Sequence, residues 1–67
     1  MIKRFGDKLY SSKYTTYTIL YNDENKMFCV GEWSVSCCGF LKVSQYFKNP
    51  VPCENIIRKL VNRYDYN

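Results

Sequence analysis

The alternation of apolar and polar residues is most regular over residues 14–35. Tyr, Thr, Ile and Leu fill most of positions 14–21, and such branched and aromatic side chains favour a β-strand. Residues 22–25, with the sequence NDEN, carry the Asn and Asp side chains that are typical of a turn. Strand-like character then resumes over 26–35. This pattern predicts a two-stranded antiparallel hairpin.

Side chains alternate between the two faces of a strand, so each predicted strand divides into two sets. In the first strand, the set interpreted as facing the core is Tyr17, Ile19 and Tyr21. In the second strand, the set interpreted as facing the core is Met27, Cys29, Trp33 and Val35. Gly31 lies in the middle of the second strand and indicates a bulge or a close backbone approach.

Weaker strand signals flank the hairpin. Ile2 and Phe5 fit a short strand that ends at the turn residues Gly6 and Asp7, after which a return strand begins. Residues 36–39 form a further predicted turn. Residues 40–47 alternate as a strand but also match one face of a short helix. We favour the strand, because this segment follows a turn and contains Val, Tyr and two Phe.

A helix is predicted over residues 53–64. Its apolar side chains form one stripe along the helix, namely Ile56, Ile57, Leu60, Val61 and Tyr64. Pro52 suits the first helical position, and Glu54 is spaced to pair with Arg58. The predicted fold class is α+β: a small antiparallel meander of three or four strands with one C-terminal helix packed on one face. Residues 1–67 are expected to form a single domain.

Composition and charge bear on the source genome, the class of partner and the cellular compartment. Residues with AT-rich codons are abundant and Ala is absent, as in genes of many phages, viruses and low-GC bacteria. The formal net charge of +4 permits nucleic acid, anionic membrane or acidic protein as a partner and selects none of them. No run of about 18 apolar residues exists, and the first residues lack the apolar centre of a signal peptide. We therefore expect no membrane contact and a cytoplasmic location.

Catalytic and metal chemistry are poorly supported. The four cysteines, Cys29, Cys37, Cys38 and Cys53, form no C-x-x-C pair, and the chain contains no His. We therefore predict no metal site and no cofactor, and we interpret Cys29 and Cys53 as small core residues. Nucleophilic catalysis usually needs a His base. The only adjacent acids, Asp23 and Glu24, fall in the turn, so the chain is not expected to be an enzyme.

The remaining feature is the sheet face opposite the predicted core. It would combine four aromatic residues with two lysines, namely Tyr14, Phe28, Phe40, Tyr46, Lys26 and Lys42. A second basic surface would follow the polar side of the helix, with Arg58, Lys59 and Arg63. Aromatic anchors with nearby charge are typical of protein interfaces. The same combination can stack bases and hold phosphates, and the face could instead be covered by the N-terminal segment or by self-association.

These observations predict a small non-enzymatic binding protein of phage or viral accessory type, which binds and modulates (inhibits) a larger host protein. The alternative is a nucleic-acid-binding module that uses the aromatic and basic sheet face. A larger host or cellular protein is the expected partner and nucleic acid the alternative. Homo-oligomerisation through the exposed sheet also fits the pattern.

Overall fold

The computed structural model describes residues 1–65 and contains one antiparallel sheet and one helix. Its elements are β1 Ile2–Arg4, β2 Tyr10–Ser11, β3 Thr16–Asn22, β4 Met27–Ser34, β5 Gly39–Lys42 and α1 Val51–Asp65. The strand order is β1-β3-β4-β5, and β2 pairs with β3 farther along the edge that β1 occupies. The predicted α+β class, with one C-terminal helix packed on an antiparallel sheet, is confirmed.

The central hairpin of β3 and β4 lies where the sequence predicts it. Residues 23–26 form the turn, and Asx hydrogen bonds support both of its sides. The Asn22 side chain accepts the backbone N–H of Glu24 at 2.9 Å, and the Asn25 side chain accepts that of Met27 at 3.0 Å. Lys26 completes the turn with a φ of 57°.

The register of this hairpin corrects the predicted face of β4. Ile19 pairs with Val30 and Tyr21 pairs with Phe28, so odd-numbered residues of β3 share a face with even-numbered residues of β4. The prediction that the core set of the second strand shares a face with Tyr17, Ile19 and Tyr21 was therefore wrong. That set was Met27, Cys29, Trp33 and Val35. A turn of four residues causes this outcome, because cross-strand partners must then differ in parity.

The helix covers one face of the hairpin, which we call the helix face. Tyr17, Ile19 and Val30 form a buried cluster with Cys53 and Ile57 of α1. Half-buried side chains surround this cluster, namely Tyr10, Phe28, Phe47, Ile56, Leu60 and Val61. The predicted apolar helix stripe is confirmed over these positions, while the side chain of Tyr64 lies outside those that the structure describes.

We call the opposite side of the sheet the open face. Its centre is also buried, since Leu20 and Cys29 are 4% and 0% exposed. Gly31 is packed closely here: a Cβ at this position would lie 2.7 Å from Leu20 Cδ1 and 3.2 Å from Phe40 Cβ. The N-terminal segment contributes as well, because the Thr18 hydroxyl donates a hydrogen bond to the carbonyl of Lys8 at 3.0 Å.

The strand prediction for residues 40–47 is correct only in its first part. β5 ends at Lys42, and the chain then leaves the ladder at Ser44, whose hydroxyl accepts the Val30 N–H at 2.8 Å. It returns at Phe47, which exchanges two backbone hydrogen bonds of 2.7 Å with Phe28. The interruption places the Phe47 side chain against the helix-face core.

Candidate functional site

Two adjoining clefts on the open face share part of their lining, and we call them together the open-face groove. The first, of about 450 Å³, is lined by Ile2, Lys3, Arg4, Leu20, Phe40, Leu41 and Lys42. The second, of about 290 Å³, is lined by Arg4, Leu9, Thr16, Trp33 and Phe40. Arg4 and Phe40 line both clefts, so the two clefts meet at this pair.

An aromatic pair occupies the middle of the open-face groove. Trp33 and Phe40 are cross-strand partners on β4 and β5, and their ring centroids lie 5.3 Å apart at an interplanar angle of 72°. The guanidinium of Arg4 lies 5.9 Å from the centre of the Phe40 ring, within cation–π range. Trp33 remains 41% exposed. A large aromatic surface is therefore accessible beside a cation.

The charge of the groove is entirely positive among the described residues. Lys3, Arg4 and Lys42 line it, and no Asp or Glu of residues 1–65 does. The nearby carboxylates of Asp23 and Glu24 bind the amino group of Met1 at the β3–β4 turn. The hydrogen bond that this amino group donates to Asp23 raises the pKa of the amino group, and the same contact lowers the pKa of the Asp23 carboxyl.

Two of the predicted site residues, Phe40 and Lys42, lie in the open-face groove. Tyr46 lies next to them, because its ring is 4.8 Å from the Lys42 Nζ. The Tyr46 hydroxyl accepts a hydrogen bond of 3.1 Å from the Asn22 side chain. The irregular segment after β5 thus extends the rim of the groove.

The remaining sheet residues of the predicted site lie elsewhere. Phe28 is on the helix face, where its ring contacts Phe5 at 4.8 Å and Tyr21 at 5.0 Å between centroids. Its predicted place on the exposed face was wrong, because the parity of the four-residue turn puts it beside Tyr21. Tyr14 is exposed in the connection between β2 and β3, where it lines a cleft of about 450 Å³ that shares Thr16 and Trp33 with the groove. Lys26 is exposed in the β3–β4 turn.

The basic residues predicted on the helix are exposed but separate from the groove. Arg58, Lys59 and Arg63 lie on the exposed side of α1, and α1 packs on the opposite sheet face. Arg58 pairs with Glu54 one turn earlier, as predicted. Arg58 also lines a cleft of about 400 Å³ together with Tyr10, Ser11, Val61 and Asn62. The helix and sheet residues therefore do not form one continuous basic surface.

Several groove residues were not predicted from the sequence. Trp33 was assigned to the core, and Arg4, Leu9 and Leu20 were not considered as site residues. One signal was available for Trp33: the predicted four-residue turn already requires odd residues of the first strand to pair with even residues of the second. No local signal indicated Arg4 and Leu9, because their position depends on where the N-terminal strands join the sheet.

The cysteines offer little reactivity at the groove. Cys29 and Cys53 are buried, as predicted, and burial raises the pKa of both thiols, that of Cys53 to about 11. Both are therefore protonated at neutral pH. Cys37 and Cys38 are exposed in the β4–β5 turn. Within residues 1–65 no group of three His, Cys, Asp or Glu side chains is placed to hold a metal ion.

Comparison of the chain with protein-family models, with curated proteins and with solved structures finds no match. No helix in the described part of the chain is long and apolar enough to cross a membrane. The functional interpretation therefore rests on the geometry and charge of the open-face groove.

Proposed function

We propose that this chain is a small non-enzymatic binding protein that docks on a larger host protein through the open-face groove and inhibits it. The observation that carries the proposal is the half-exposed Trp33 beside Phe40 and Arg4. Trp and Arg are the residues most enriched among the energetically dominant positions of protein interfaces. A phage or viral accessory role in the host cytoplasm is the setting we propose for it.

The apolar part of the groove favours a protein over a nucleic acid. Ile2 and Leu9 are about half exposed beside the aromatic pair, and such aliphatic side chains provide no stacking surface for bases. The Phe40 ring meets Arg4 and the edge-on Trp33 ring, which restricts its use as a stacking platform. A partner that brings its own apolar side chains would bury these residues instead.

Charge indicates the kind of protein surface that fits. Lys3, Arg4 and Lys42 surround the apolar centre, with no carboxylate among the described lining residues. Complementary charge speeds association and fixes orientation. We therefore propose a partner that presents apolar side chains with an acidic rim.

A nucleic acid remains the second candidate, since the same three cations and the exposed Trp33 match the components of single-strand binding sites. Fluorescence anisotropy of labelled single- and double-stranded oligonucleotides across a salt series separates the two proposals. Phosphate contacts would make the affinity fall steeply with salt. We expect no such binding if the partner is a protein.

The direct test compares capture of host-lysate proteins by the parent chain, by Trp33→Ala and by Val51→Ala. Val51 is an exposed apolar residue at the start of α1 that does not line the groove, so its variant is a matched control. A partner that docks at the groove should bind Trp33→Ala at least about tenfold more weakly and bind Val51→Ala as it binds the parent. The purified partner's activity, measured with and without the chain, tests inhibition.

Each variant is checked for folding by circular dichroism before capture. A captured protein that binds Trp33→Ala and the parent equally well would contradict the proposed site. An oligonucleotide with steep salt dependence that competes at Trp33 would replace the protein proposal with the nucleic-acid one.

A further inference from the structure

The outer strands of the sheet have unpaired edges that border the groove. In an antiparallel ladder every second pair of residues exchanges hydrogen bonds, and the residues between them direct their N–H and C=O away from the neighbouring strand. Phe5 N–H donates to the Ile19 carbonyl at 2.8 Å, in register with the pairing of β1 and β3. Ile2 and Arg4 therefore direct their backbone groups to the outer edge of β1.

The same reasoning applies to β5. Val43 N–H donates to the Val30 carbonyl at 3.0 Å, in register with the pairing of β4 and β5. Leu41 is thus a bonded position, whereas Phe40 and Lys42 direct their N–H and C=O outward. Both Phe40 and Lys42 also line the groove. Main-chain hydrogen-bonding groups and side-chain contacts are consequently available at the same place.

We infer that the partner enters the open-face groove as an extended acidic segment, which adds as a strand to the outer edge of β5. This inference rests on the proposed function and specifies how the partner is held. Addition of a strand to an exposed sheet edge is an established mode of peptide recognition, in which main-chain bonds give affinity and alternate side chains give specificity. The cleft between β1 and β5 is about 450 Å³ in volume and carries both edges on its walls.

Charge decides between an acidic segment and a second copy of this chain. Lys42 lies on the β5 edge itself, and Lys3 and Arg4 lie on the β1 side of the same cleft. Two β5 edges paired with Lys42 at the centre would place two ammonium groups across from each other, and like charges across a strand pair are destabilising. An acidic side chain across from Lys42 would instead form an ion pair.

Strand geometry also predicts the pattern of the added segment. Its side chain across from Phe40 would lie on the open face, and the one across from Leu41 on the other side. Both should be apolar, because Phe40 is half-buried and Leu41 is 48% exposed. The expected segment therefore has apolar residues across from Phe40 and Leu41 and an acidic residue across from Lys42.

The test uses a displayed library of random octapeptides, selected on the full chain and then measured against Lys42→Pro and Lys42→Ala. Both variants lose the ammonium group, but only Pro also loses the outward N–H, and Pro is tolerated at an outward-facing edge position. We expect the selected peptides to contain the acidic pattern and to bind Lys42→Pro at least about tenfold more weakly than Lys42→Ala. In the parent chain, amide hydrogen exchange of Phe40 and Lys42 should slow when such a peptide binds.

Two measurements do not depend on the folding of Lys42→Pro. One is amide exchange on the parent chain, and the other is binding of probe peptides that are N-methylated at alternate peptide bonds. Equal binding of the methylated and unmethylated peptides, unchanged exchange at Phe40 and Lys42, or no enrichment of acidic peptides would overturn the inference. A dimer of this chain that dissociates in Lys42→Pro would overturn it in favour of self-association. In each of these cases, a host partner that still depends on Trp33 would leave the proposed function standing.

Discussion

The two faces of the β3–β4 hairpin carry similar apolar residues but are covered in different ways. On the helix face, Tyr17, Ile19 and Val30 are at most 7% exposed, because α1 lies across them. On the open face, Leu20 is 4% exposed and sealed, but Trp33 is 41% exposed. One helix can cover only one side of a sheet, and the short outer strands protect only the middle of the other. The helix face therefore provides most of the buried core, and the open face retains accessible apolar surface.

A cavity in the helix face should cause the largest loss of stability. Ile57→Ala removes a fully buried side chain and should lower the free energy of unfolding by about 2–5 kcal/mol, as other large-to-small core changes do. Leu41→Ala, on the exposed β5 edge, should change it by less than about 0.5 kcal/mol. Chemical denaturation of both variants measures the difference. Equal losses would mean that the exposed β5 edge contributes as much to stability as the helix-face core.

The buried Cys53 thiol should make the stability of the helix face depend on pH. Burial raises the pKa of Cys53 to about 11, whereas an unfolded thiol titrates near pH 8.5. Since ionisation then favours the unfolded chain, stability should be complete below about pH 8.5 and should fall by about 3 kcal/mol as pH approaches 11. Denaturation at several pH values measures this slope, which Cys53→Ala should reduce and Cys37→Ala, at an exposed site, should not.

The packing at the centre of the open face is tested by adding one methyl group. Gly31→Ala would place its Cβ 2.8 Å from the Cγ of buried Leu20, so that the side chain must shift. We expect a loss of about 1–3 kcal/mol. Gly39→Ala is the matched control in the same pair of strands, because its Cβ would meet nothing closer than 3.9 Å. Similar stability of the two variants would show that Leu20 and Phe40 do not converge on Gly31.

The smallest effect is expected at the rim of the groove. Tyr46→Phe removes the acceptor of the Asn22 side-chain hydrogen bond of 3.1 Å, which is half-exposed and should be worth about 0.5–1 kcal/mol. A double-mutant cycle with Asn22→Ala isolates the coupling between the two residues. Additive losses in the cycle would indicate that this bond does not hold the 43–46 segment.

Local signals predicted the elements themselves. The Thr and Tyr content of β3, the Asn and Asp side chains of the turn and the apolar stripe of α1 each act within a few residues, and all three predictions agree with the structure. Burial of Cys29 and Cys53 was also predicted, because free cysteines behave as small core residues. The candidate site was predicted less well: Phe40 and Lys42 lie in the groove, while Phe28 lies on the opposite face.

The alternation of residues along the sequence was sufficient to divide the side chains of each strand into two sets, one for each face. Which set of β4 joins which set of β3 was decided by the pairing register, since moving the pairing by one residue exchanges the faces. Both central sets are apolar enough to be buried, so hydrophobicity alone could not choose between Phe28 and Trp33 as core residues. Only the tertiary structure brought Arg4 of β1 to Phe40 of β5, because contacts between the two outer strands depend on the curvature of the whole sheet.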